Sequence, residues 1–182
     1  MSEQKTKIKI DAKKELITVL EQTNVDIAQL IAKCAIFASP DVVKPKIADK
    51  SALLFPKVRR GRNTSKNKEK RGSIIDGIRI DDNTYANRGI KKILGNYEFK
   101  NYEVCHIWPN TATDERYFSM IPNMVLLPRA IAGLTDHLET IQQILQYRAF
   151  SLYGWKPDEA DVPQIPLNYP QSWRDSLPKI EK

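Results

Sequence analysis

YEVCHIWP, residues 102–109, and IPNMVLLPRAIAGLTDH, residues 121–137, set a cysteine–histidine pair, an asparagine and an apolar run in close succession. Residues 100–108 alternate between apolar and polar side chains, which predicts a strand, and Pro109 stops it. NMVLLP predicts a second short strand, ended by Pro128. RAIAGLT begins a helix, and the intervening NTATDERYFSM reads as loop. His106 therefore closes one strand, Asn123 opens the next, and helix follows at once. Taken alone, a strand histidine is satisfied by a backbone carbonyl. In this order it becomes a candidate reactive group.

Downstream, DHLETIQQILQYRAFSLYGW predicts a helix with Leu138, Ile141, Leu145 and Leu152 on one face. Asp136 and Glu139 have capping-box spacing, and Gly154 stands at the C-terminal end. From Lys156 onward five prolines make a tail too interrupted for regular structure, with Tyr169 and Trp173 available to pin it.

Upstream, residues 11–37 predict helix. Leu16, Val19 and Leu20 share one face, and Asn24 or Asp26 starts a second helix with Ile27, Leu30, Ile31 and Cys34 as its stripe. Pro40 is expected to end this unit, and Pro45 and Pro56 to keep the next stretch irregular. SIIDGIRIDD predicts a short strand or hairpin. Asp81, Asp82 or Asn83 can cap a helix through TYANRGIKKILG, whose Lys91 and Lys92 suit either the helix dipole or a phosphate.

The 182 residues carry a net charge of +7. KVRRGRNTSKNKEKR, residues 57–71, holds eight basic residues and one acid, so this segment contains the whole imbalance. It has almost no apolar side chains and is expected to stay a solvated, flexible loop. Arg59, Arg60, Arg62, Lys66, Lys68, Lys70 and Arg71 become candidate contacts to a nucleic-acid backbone. No apolar run reaches the roughly 18 residues of a membrane helix, so no membrane partner is expected. The N-terminal MSEQKTKIKID lacks the apolar core of a secretory signal, which predicts a cytoplasmic protein. Two cysteines, Cys34 and Cys105, are expected to stay reduced there, and without a CxxC pair no four-cysteine zinc site is expected.

YEVCHIWP and IPNMVLLPRAIAGLTDH resemble the HNH, or ββα-metal, endonucleases over about residues 98–137, roughly a fifth of the chain. In that family a histidine ends the first strand of a hairpin, an asparagine opens the second, and a helix supplies a metal ligand. The resemblance implies an α+β fold: a small ββα-metal module with N-terminal helices and a proline-rich C-terminal tail. The expected layout is an N-terminal helical segment (1–56), a basic linker (57–72), the HNH-like module with flanking helices (73–155) and the tail (156–182). It also implies DNA hydrolysis by a divalent metal ion (Mg, Mn or Zn), with His106 as general base and Asn123 holding the loop and orienting it. A neutral imidazole suits proton removal from water at cellular pH.

The ligand positions depart from the family. The residue before the base is Cys105, a soft donor ill suited to magnesium. The usual ligand position on the helix is Ala132. Asp136 and His137, one turn on, are the substitutes, although Asp136 also fits as a helix cap. Asp114 and Glu115 are either hard oxygen ligands or solvated acids. Arg116 and Arg129 are phosphate clamps or structural ion-pair partners, and Trp108 is a packing residue. Two other functions compete with cleavage: nucleic-acid binding without it, motivated by Ala132, and docking of an acidic protein on the basic segment. DNA is the expected partner, with RNA as a substrate left open. The N-terminal helices would read DNA or join a homodimer.

Overall fold

The computed structural model describes residues 11–63, 68–95, 97–136 and 138–174. Helix α1 (Ala12–Gln22) leads to α2 (Ile27–Cys34), where the Asp26 carboxylate accepts from the Gln29 N–H at 3.0 Å and caps the first turn. Ala28 and Ile31 of α2 are buried, whereas Leu16 and Val19 of α1 stay exposed. The predicted irregular stretch after Pro40 is instead helix α3 (Pro40–Ala48). Ser39 caps it, and Pro40 occupies the first helical position, where a missing N–H costs nothing. Pro45 lies inside α3, which ends within a turn of it.

The basic segment, expected to be a flexible loop, is partly ordered. Its residues Val58–Arg60 form β1 of a three-stranded sheet ordered β1, β3 (Ile78–Asp81), β2 (Ile74–Ile75), with β1 parallel to β3. Asp76 and Gly77 join β2 to β3, and their φ angles of 51° and 76° match the turn a tight hairpin needs. A polar segment orders here because its single acid is used twice. Glu69 takes a paired contact from the Arg59 guanidinium, 2.9 Å at Nη2, and accepts the Arg62 backbone N–H at 2.8 Å. Arg59 is only 3 % exposed. Gly61 permits the close approach, since a Cβ there would lie 2.9 Å from the Glu69 carbonyl oxygen.

Helix α4 (Thr84–Ile93) follows, capped as expected. Asp81 accepts from the N–H groups of Asn83 and Tyr85, and Asp82 accepts from the Thr84 N–H and hydroxyl. Strands β4 (Tyr102–His106) and β5 (Met124–Pro128) form the predicted antiparallel hairpin, with His106 opposite Met124. Met124 to Leu127 are wholly buried, because β5 is covered on both faces and bridged at its outer edge by Ile36. Removing such side chains from water contributes roughly 1.5–3 kcal/mol each. Helix α5 (Arg129–Ala132) runs directly into a 3₁₀ turn, Gly133–Asp136.

Helix α6 (Glu139–Tyr153) starts after Leu138, so the expected capping box at Asp136 does not form. Ile141, Leu145 and Leu152 bury the expected face, and Gly154 closes the helix at φ 67°. The tail is pinned as expected by Tyr169 and Trp173, but it adds a short helix α7 (Gln171–Arg174). The fold is thus mixed α+β, with two small sheets and a shared helical packing layer. Among the described residues no helix is long and apolar enough to cross a membrane.

Candidate functional site

The β4–β5 register brings Asn123 against the loop that joins the strands. Its side chain is fully buried, and every polar atom on it is used. Oδ1 accepts the Trp108 N–H at 3.1 Å, while Nδ2 donates to the Thr111 hydroxyl and to the Tyr117 carbonyl, both at 2.9 Å. One amide thereby ties both ends of the loop. The residue after Tyr117 supplies the next contact: the Phe118 carbonyl lies 2.8 Å from His106 Nε2. The imidazole also stacks on the Phe118 ring, 5.4 Å between centroids. A carbonyl can only accept, so the hydrogen sits on Nε2 and Nδ1 keeps its lone pair. Asn123 holds the loop, and the Phe118 carbonyl sets the tautomer.

His106 is half-buried and borders a cavity of ≈ 560 Å³. Arg60 enters this cavity from β1, Asn83 from the start of α4, Arg129 and Asp136 from the helix after β5, and Gln142 from α6. Loss of water around the ring pushes the imidazole pKa down to about 4. Its bond to the Phe118 carbonyl and the Asp136 charge pull upward, and Arg60 pushes down. The ring is therefore neutral at cellular pH.

The candidate metal ligands separate. Cys105 is buried, its sulfur 3.7 Å from the Ala132 carbonyl, and burial pushes its thiol up to about 12. Without a metal that thiol is protonated at neutral pH, and it borders the same cavity beside His106. Ala132 lines the cavity with no donor, as the sequence requires. Asp136 is exposed at the cavity edge, and among the described residues no hydrogen bond or ion pair engages its side chain. The α5 helix ends at Ala132, and the 3₁₀ turn Gly133–Asp136 that continues it places Asp136 there. His137 lies outside the described residues. Asp114 is turned away into a second cavity. Among the described residues no three His, Cys, Asp or Glu side chains gather into a preformed metal cage. One free carboxylate does fit a hard cation shared with a substrate phosphate, since magnesium keeps most of its waters and takes one or two carboxylates. It does not fit a thiolate zinc site.

The basic candidates divide by the same test. Arg59 is committed to Glu69 and points inward, so it is corrected to a structural role. Arg60, its neighbour on the strand, faces the opposite way, is exposed and has no ion pair among the described residues. Arg62 donates to the Thr113 carbonyl at 3.3 Å and has no ion pair among the described residues, although its charge acts on Glu69 and Asp114. Arg71 pairs with Asp82 at 2.8 Å on the surface. Lys68 and Lys70 are exposed and have no ion pair among the described residues, and Lys66 lies outside the described residues. Arg129 lies 3.7 Å from Glu103 with both side chains well exposed, a contact of little worth.

Arg116 is corrected. It borders a second cavity of ≈ 510 Å³ beneath the proline-rich tail, not the one beside His106. There it bonds Asp114 at 2.7 Å and Glu159 at 2.8 Å, and lies over the Tyr117 ring. One cavity residue had no functional signal in the sequence: Asn83 read only as a helix cap. Arg60 was a candidate backbone contact, indistinguishable from Arg59 until β1 gave the pair opposite faces. Comparison with family models, curated proteins and solved structures returns no match for this chain.

Proposed function

We propose that this chain is an HNH-type endonuclease that hydrolyses phosphodiester bonds in DNA with the help of a divalent cation. The observation that carries the reading is His106: a neutral imidazole at a strand end, its tautomer set by the Phe118 carbonyl, bordering a cavity with an unpaired carboxylate and two guanidiniums. His106 Nδ1 takes a proton from a water, the water oxygen attacks phosphorus, and one phosphorus–oxygen ester bond breaks. One fragment keeps the phosphate; the other departs as an alkoxide that takes a proton from solvent to become a hydroxyl, and His106 returns its proton to solvent. Arg60 and Arg129 hold the phosphate as cationic donors. Asp136 would bind the cation, which would offset charge on the phosphate and on the departing oxygen. Exposed Arg62, Lys68 and Lys70 extend the contact along the backbone.

The test is nicking of supercoiled plasmid with magnesium, manganese or zinc added in turn, and of a matched RNA. Magnesium- or manganese-dependent nicking of DNA, lost in His106→Ala with duplex binding retained, supports the reading. Cleavage of RNA alone reassigns the substrate. Ala132 at the usual ligand position favours one second reading, a nucleic-acid-binding protein that does not cut. Salt-dependent DNA binding without nicking under any of the three metals selects it. Loss of both binding and nicking removes both readings.

A further inference from the structure

The geometry points to Asn83 as a substrate-binding residue: its carboxamide contacts the scissile phosphate in the His106 cavity. This rests on the endonuclease reading. Asn83 lines that cavity together with Arg60, His106, Arg129 and Asp136. Its residue is 8 % exposed, yet the buried Oδ1 has no hydrogen-bond partner. Among the described residues Nδ2 has none either. Its backbone N–H and carbonyl are both used, bonding the Asp81 carboxylate and the Asn87 N–H. The fold thus satisfies this residue's main chain and leaves its side chain with nothing.

The backbone adds a second cost. Asn83 stands at φ 131°, ψ 0°, a region that glycine adopts freely and a side chain does not. Strained residues that persist cluster where substrates bind, and an orphaned buried polar group calls for an absent partner. As a helix cap, a glycine would serve with less strain, because the cap bonds come from Asp81 and Asp82. What glycine would lack is the carboxamide.

A carboxamide donates at one end and accepts at the other. The neighbouring groups are two guanidiniums, an imidazole lone pair and two carboxylates, Asp136 at the edge and Glu103, which lies 3.7 Å from Arg129. The entrant that fits is rich in acceptors and carries negative charge, which describes a phosphodiester. Its non-bridging oxygen takes the Nδ2 hydrogens, and Oδ1 accepts from a water on the same phosphate.

The experiment compares the wild-type chain with Asn83→Gly and Asn83→Asp. Melting temperature, plasmid nicking with manganese, and binding of two unrelated DNA duplexes without divalent cation are measured. Asn83→Gly should melt at the same or a higher temperature, because strain is relieved. Its nicking rate should fall about tenfold or more, and its affinity for both duplexes should fall together by about tenfold at most. Asn83→Asp keeps the shape but sets a carboxylate against the phosphate, and should bind more weakly still. A folded Asn83→Gly that nicks and binds like wild type overturns the inference while leaving the nuclease reading intact. An affinity loss confined to one duplex also overturns it, because that would be a base contact. If wild type nicks nothing, the nuclease reading fails by itself, and equal binding by Asn83→Gly and wild type then overturns this inference as well.

Discussion

Two cavities of similar volume, ≈ 560 Å³ and ≈ 510 Å³, share the wall formed by Trp108, Pro109 and Asn110. Each contains arginine, carboxylate and aromatic side chains. They differ in what the fold has already used. Beneath the tail, Arg116 is held by Asp114 and Glu159. Beside His106, Arg60 and Asp136 have no partner among the described residues, and the Asn83 carboxamide is orphaned. A paired charge has already given up its interaction energy to the fold. An unpaired one keeps it for a ligand. Charge inventory alone cannot separate the two cavities, and partner status does.

The widest difference should appear in turnover. On the proposed reading, His106→Ala lowers plasmid nicking by about 10²–10⁴-fold, the usual worth of a general base. Arg116→Ala, on the other side of the shared wall, should leave nicking within about twofold, since surface ion pairs contribute little. Initial rates with manganese measure both. Equal losses would mean that the cavities act as one site and would remove the distinction.

Next in size is the wall itself. Asn123→Ala strips partners from the Trp108 N–H, the Thr111 hydroxyl and the Tyr117 carbonyl at once. The Trp108 N–H is left orphaned at a cost of about 1–3 kcal/mol, while the Thr111 hydroxyl keeps the Trp108 carbonyl and the Tyr117 carbonyl keeps the Met120 N–H. With the two further lost hydrogen bonds, a loss of about 3 kcal/mol is expected from urea unfolding. Nicking should fall too, because the Phe118 carbonyl that orients His106 adjoins Tyr117. A variant as stable as wild type would show that the loop is held by other contacts.

How far these features were legible follows from the range of the forces involved. The β4–β5 hairpin was readable because alternation and Pro109 are local signals, and the cap at Asp26 is local as well. The helix at Pro40–Ala48 was misread because proline was weighed as a breaker, when Ser39 before it makes it a first-turn residue. The order in the basic segment depends on one bond between Arg59 and Glu69, ten residues apart, inside a parallel strand pairing that no local pattern announces. His106, Asn123, Asp136 and the basic run with Arg60 could be named as candidates because order and charge along the chain carry them. What sets Arg60 apart from Arg59, and what makes Asn83 a candidate, is a lack of partners that only the fold reveals.

The adjacent arginines of β1 sharpen the same contrast within one strand. Arg60→Ala should leave the melting temperature unchanged and reduce the salt slope of duplex binding by about 1, the loss of one phosphate contact. Arg59→Ala should leave that slope alone and destabilise the fold by about 2 kcal/mol, because Glu69 loses its buried counter-ion. Anisotropy titrations over a salt series and thermal melts separate the two. A swapped pattern would mean that the strand faces the other way.

The smallest effect is the acid dependence of that pair, and its sign is fixed by Glu69. The Arg59 guanidinium first, and the Arg62 N–H next, hold its carboxyl down from 4.5 to about 2. A group whose pKa is depressed on folding stabilises the native state above its unfolded value and loses that contribution as pH falls through its folded value. The melting-temperature gap between wild type and Arg59→Ala should therefore be flat from pH 7 to about 5 and shrink progressively between pH 4.5 and 2. The absolute melting temperatures will fall together in acid as other carboxylates protonate, so only the gap is diagnostic. A gap that persists undiminished to pH 2.5 would mean that Arg59 stabilises the sheet by packing its aliphatic stem, and that the segment is ordered without its acid.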